Sequence, residues 1–251
     1  MIKFFRKIRQ NLLSEGKIGK YFKYAIGEIV LVVLGILIAI SINNWNEDRK
    51  SSGLEKNYLI SLKEEFEFNI QNVEFNSNAN KSKVNSCLEI LQYTDPNELK
   101  IKKVYFDSLL SSIFYYETQL EPKNETIYEL ISSGKLSIIN NSNLRTSLYY
   151  WSNEIKGIEK REEEFIIYKN KLLNLIMKKN LREAYSNSNF HQCCIGQSRF
   201  KNHNLELLKS IEFESSLTQY LVAAKNNQIS YDIHYNTVEE ILTMIKKELK
   251  E

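Results

Sequence analysis

The 251 residues carry 34 Lys+Arg against 31 Asp+Glu, with only 8 Gly and 2 Pro. That is too few turn formers for an all-β fold, and the net charge of +3 gives no reason to invoke nucleic acid. Residues 1–24 hold Lys3, Arg6, Lys7, Arg9, Lys17, Lys20 and Lys23 against one acid, Glu15, so a basic leader is joined to a slightly acidic body.

In the leader, residues 1–24, the apolar positions Ile2, Phe5, Ile8 and Leu12 share one helical side between basic residues. Such a helix suits the cytoplasmic headgroups, and Ser14-Glu15-Gly16 should break it. Residues 25–42, AIGEIVLVVLGILIAISI, then hold a single charge, Glu28, over a length that crosses a bilayer core as a helix. With the basic leader before it and Glu47-Asp48 after it, the positive-inside rule keeps the N-terminus cytoplasmic and sends the rest outward, into the periplasm of an inner-membrane protein. Tyr21, Tyr24 and Trp45 mark the two interfaces. Ala39-Ile40-Ser41 fits a small-x-small cleavage site, but the long leader and apolar core favour an uncleaved anchor. Glu28, Gly35 and Ala39 fall near one stripe of this helix, where small residues let a partner helix approach and a carboxylate gains from facing protein. Snorkelling to the headgroups is the plainer role for Glu28.

Residues 43–53 should form a linker, with Ser51-Ser52-Gly53 as the boundary of a helical body over 54–251. Leu59, Leu62, Phe66, Ile70 and Val73 trace one face, 76–83 is polar, and Val84, Leu88 and Leu91 resume before Asp95-Pro96 ends the helix. A short helix over 103–116 follows, and Pro122 closes that region. Thr126-x-x-Glu129 reads as a capping box, Gly134 as a left-handed helix stop and Asn140-Asn141-Ser142 as the next N-cap. A second long helix carries Leu144, Trp151, Ile158, Phe165 and Leu172 at seven-residue spacing, with Leu148, Ile155 and Ile176 beside them and Glu162 and Lys169 interrupting that second row. A third carries Leu217, Ala224, Tyr231, Val238 and Ile245, flanked by Leu221, Gln228, Tyr235, Leu242 and Leu249. The expected fold is all-α: one transmembrane helix followed by an elongated antiparallel helical bundle. If the first long helix rises from the membrane and the second descends, residues 186–204 return toward the bilayer and the C-terminus points away from it.

The blocks YAIGEIVLVVLGILIAISINNWNE (residues 24–47) and ETIYELISSGKLSIINNSNLRTSLYYW (residues 125–151) resemble an uncharacterised family of single-span envelope proteins common in Bacteroidota, a domain of unknown function. The likeness covers nearly the whole chain. It implies the envelope address and the helical architecture, and assigns no catalytic residue. Ile40 and Ser41 stand where Leu and Gln are common in such spans.

No G-x-S-x-G, H-E-x-x-H, Walker or C-x-x-C pattern is present, so no enzyme activity and no cofactor is expected. Glu162-Glu163-Glu164 reads as a solvated face, and Tyr231 and Tyr235 as packing residues with hydroxyls in water. His191, Cys193, Cys194 and His203 form the one dense cluster of ligand-type side chains, at a spacing that matches no metal motif. A metal site, a disulfide from Cys87 to Cys193 or Cys194, a vicinal bridge, and free, partly buried thiols all remain open. The expected partners are the lipid bilayer and either a second copy or another membrane protein, and not nucleic acid. The function expected is an interaction or structural module of the envelope, the alternative a sensor-like bundle binding a small ligand and acting through a membrane partner.

Overall fold

The computed structural model describes residues 18–94, 100–115, 117–186, 196, 198–200 and 204–250. Among them there is no strand. The helices are α1 (Ile18–Gln92), α2 (Lys103–Tyr115), α3 (Glu125–Ser132), α4 (Ser142–Met177), α5 (Leu181–Ser186) and α6 (Ile211–Leu249), with 3₁₀ turns at Lys135–Ile138 and Asn204–Lys209. Two compact units divide the chain, Met1–Lys56 and Asn57–Glu251.

In the first unit α1 leaves Ile29, Leu31, Ile36, Leu37 and Ile40 exposed. It is one helix long and apolar enough to cross a membrane, with a window of mean hydropathy 2.8 of which 0% is buried. The linker expected at 43–53 is corrected: α1 runs through it without a break. An interior Gly costs a helix only about 1 kcal/mol, and a Cβ at Gly53 would meet nothing within 4 Å. Strong helix on either side outweighs that cost. The expected leader break at Ser14-Glu15-Gly16 lies outside the described residues, as does Pro96.

In the second unit the heptad rows become the core. Leu144, Trp151, Ile158, Phe165 and Leu172 from α4 and Leu217, Ala224, Tyr231, Val238 and Ile245 from α6 are all buried against Leu62, Phe66, Val73, Cys87 and Ile90 of α1. Asn141 caps α4 by accepting the Leu144 N–H at 3.0 Å, as its sequence position foretold. Ser210 does the same for α6 from Phe213 at 3.3 Å, and Glu212/Glu214 at the start with Lys246/Lys247 at the end complement the helix dipole. Gly134 takes the left-handed conformation (φ 69°) that stops α3.

The capping box is corrected. Thr126 lies inside α3, and its N–H and hydroxyl both donate to Glu65 Oε1 of α1, at 2.7 and 2.6 Å. Glu129 instead accepts from Tyr58 at 2.7 Å. A buried carboxylate from the neighbouring helix satisfies the free N–H more fully than a local hydroxyl could.

The expected descent of the second long helix is also corrected. Phe66 meets Trp151 (ring centroids 6.1 Å apart) and the Lys83 amine lies 6.0 Å from the Phe165 ring centroid, so α1 and α4 run parallel. Asn80 bonds Gln228 (3.0 Å) while Glu67 pairs with Lys246 (3.5 Å), so α6 runs antiparallel to α1. The reason lies between them. After α2 packs on the far core, Thr118 meets Lys83 and Lys123 meets Asn69, so residues 118–123 run alongside residues 69–83 of α1. Only near-extended chain, rising ~3.3 Å per residue against ~1.5 Å in a helix, covers that stretch. The chain thus returns to the end where Asn57 enters before α4 begins. Residues 178–186 and 204–209 lie at the opposite end of this unit, and the C-terminal turn of α6 at the Asn57 end.

Candidate functional site

The buried apolar residues form two clusters, one around Phe66, Trp151 and Val238, the other around Cys87, Phe106, Phe165 and Tyr220. Between them lies a polar layer. The inward face of α1 keeps its direction past Val73 and carries Asn76, Asn80 and Lys83 into the bundle, each at most 2% exposed. From α6 come Asn227, Gln228, Tyr231 and His234, from α4 Arg161 and Glu162, and from the 117–124 segment Thr118 and the Leu120 N–H.

Asn80 Nδ2 donates to the Ala224 carbonyl (2.8 Å) and Gln228 Oε1 (3.0 Å), while Gln228 Nε2 donates to Ser77 Oγ (2.7 Å). Lys83 Nζ donates to Thr118 Oγ1 at 2.9 Å, and Glu162 Oε1 accepts the Leu120 N–H at 2.7 Å. Burial, reinforced by the nearby Lys169 charge, pulls the Lys83 amine down to about 8. Burial pushes Glu162 up to about 7 against the pull of the Leu120 N–H. His234 is lowered to about 4 by burial and by Arg161, so it is neutral at pH 7 and its Nε2 accepts from Arg161 at 3.2 Å. The Tyr231 hydroxyl has no well-formed hydrogen bond to a described residue, but Glu162 and Thr118 lie close enough to influence it, and burial raises its pKa.

Asn76 Oδ1, Asn80 Oδ1, Asn227 Nδ2 and Tyr231 Oη, all in this layer, are buried without a partner among the described residues, as are Glu65 Oε2, Trp151 Nε1 and Ser216 Oγ outside it. Each such atom costs about 1–3 kcal/mol, so the layer is maintained against stability. Two clefts open on it. One, about 470 Å³, lies between the 117–124 segment and α4 and is lined by Leu120, Pro122, Ile155, Glu162 and Glu163. The other, about 490 Å³, lies between α4 and α6. Consecutive residues Arg161 and Glu162 thus line different clefts. Both volumes fall in the range of small-molecule sites.

Two sequence expectations are overturned here. Glu162 is buried (7% exposed) rather than solvated, while Glu163 and Glu164 are exposed. Its place on the Ile155–Glu162–Lys169 row was the available signal. The Tyr231 hydroxyl is buried rather than wet. Gly35 and Ala39 lie on the exposed part of α1, where a Cβ at Gly35 would meet nothing within 4 Å, and Glu28 is half-buried on the same helix. Cys87 is buried in the far core with its thiol pushed up to about 12, which makes it unreactive. His191, Cys193, Cys194 and His203 lie outside the described residues, and no group of three metal-ligating side chains occurs among those described.

No curated protein and no solved structure matches this chain. A family model described as a family of unknown function, DUF6090, matches residues 28–193, from within the apolar stretch of α1 to beyond α5. The chain belongs to that family.

Proposed function

We propose that the chain is a single-pass inner-membrane protein with a cytoplasmic N-terminus, whose helical bundle stands in the periplasm as an interaction or structural module of the envelope. The observation that carries this is the apolar stretch of α1: its most apolar window is 0% buried, so none of the described residues covers that surface. Lipid supplies it. The basic leader supports the orientation. No catalysis is proposed, since no nucleophile, phosphate-loop or metal signature occurs in the sequence. The partners proposed are the bilayer and a second copy or another membrane protein, which Gly35 and Ala39 would let approach closely.

A phosphatase fused after Glu251 should be active, and the same reporter placed ahead of the span silent; the reverse pattern overturns the orientation. Crosslinking in the membrane followed by purification should recover one defined partner. A second reading, a bundle that binds a small ligand and acts through a membrane partner, is favoured by the polar layer and its two clefts.

A further inference from the structure

The groove between α4 and α6 has a built chemistry of its own. Phe165 (3% exposed) and the half-buried Ala223 are its apolar lining, and the exposed Val222 stands at its lip. Asn227 lines it too, 94% buried by its 6% exposure, with its side-chain Nδ2 donor sealed from solvent and without a hydrogen-bond partner among the described residues. An amide held in that state calls for an acceptor.

Arg161 is the cation in this lining. It is less exposed than Glu164, the acid there. Its guanidinium folds back toward Gly157, where an added Cβ would stand 3.4 Å from Arg161 Nη1, and donates to His234 Nε2 at 3.2 Å. Because His234 is uncharged at neutral pH, it orients the guanidinium without neutralising it. Among the described residues Glu154 is the acid in ion-pair reach, 3.9 Å away with its side chain 57% exposed. Guanidinium and amide donors therefore remain at a pocket with an apolar floor, and guanidinium geometry matches carboxylate.

We propose that this groove binds a small molecule joining a carboxylate to an apolar or aromatic body, with Arg161 and Asn227 holding the carboxylate and Phe165, Val222 and Ala223 the body. The site deepens the ligand-binding reading by naming its place and ligand class.

The test is titration of the full chain in lipid nanodiscs with phenylacetate, using phenethylamine as the opposite-charge probe and empty nanodiscs as background. Phenylacetate should bind saturably and phenethylamine should not. Arg161→Gln should weaken binding about tenfold or more, the scale of a lost charge-assisted contact. Val222→Trp, which fills the groove from an exposed position, should abolish binding while leaving helicity and melting as in the unsubstituted chain. Phenethylamine binding as well as phenylacetate overturns the ligand class, and no saturable binding of phenylacetate at millimolar concentration overturns the proposal. Binding that survives both substitutions overturns this site while leaving the ligand-binding reading intact.

Discussion

Glu162 shows how one residue's surroundings reverse its expected behaviour. With its carboxyl raised from 4.5 to about 7, the folded chain keeps this proton across a window in which the unfolded chain has released it. Its contribution to stability therefore falls as pH rises from 4.5 to about 7 and is flat above. His234 acts in the opposite sense: lowered from 6.5 to about 4, it contributes stability above 6.5 that is lost as pH falls toward 4. The two slopes oppose each other until about pH 6.5, and Glu162 acts alone just above it. Glu162→Gln keeps an acceptor for the Leu120 N–H and removes the titration. It should stabilise the chain at pH 8 by ~1–2 kcal/mol, a figure discounted for partial solvent access, and by only about a quarter of that at pH 5. Denaturant melts at the two pH values read this directly, and an equal gain at both would show that the carboxylate is not the cause.

Among the helices, α1 departs most from its sequence pattern. Ser51-Ser52-Gly53 has the composition of a boundary, yet the division into units falls at Lys56/Asn57 and the helix passes through both. Since a Cβ at Gly53 meets nothing within 4 Å, Gly53→Ala should strengthen the helix by about 1 kcal/mol. Hydrogen exchange of amides 50–56 should slow by about fivefold, as that energy implies. Unchanged or faster exchange would show that this stretch is not helical in solution. The capping of α3 carries the same lesson at shorter range. Thr126 and Glu129 stand at capping-box spacing, but Glu65 and Tyr58 of α1 take their hydrogen bonds.

For the bundle as a whole, chain direction is the decisive property. A bismaleimide of short reach should bridge the double variant Glu67→Cys with Lys246→Cys, whose native side chains pair at 3.5 Å. It should not bridge Glu67→Cys with Lys179→Cys, because Lys179 pairs with Glu206 at the other end of this unit. A second long helix antiparallel to α1 would bring Lys179 toward Glu67 and give the opposite result. Gel mobility against the unsubstituted chain distinguishes the two.

Hydrophobic periodicity is a local property, and what it can report was legible. The apolar stretch of α1, the core rows of α4 and α6, the Asn141 cap and the Gly134 stop all follow from spacing and residue type over a few turns. Depth and direction are not local. Whether Glu162 meets water depends on the 117–124 segment lying over it, and the direction of α4 depends on how far that segment carries the chain before the next helix starts. The polar run 76–83 was visible as polar, but only helix α1 holding its inward face past Val73, with α6 packed antiparallel against it, makes that run a layer inside the bundle.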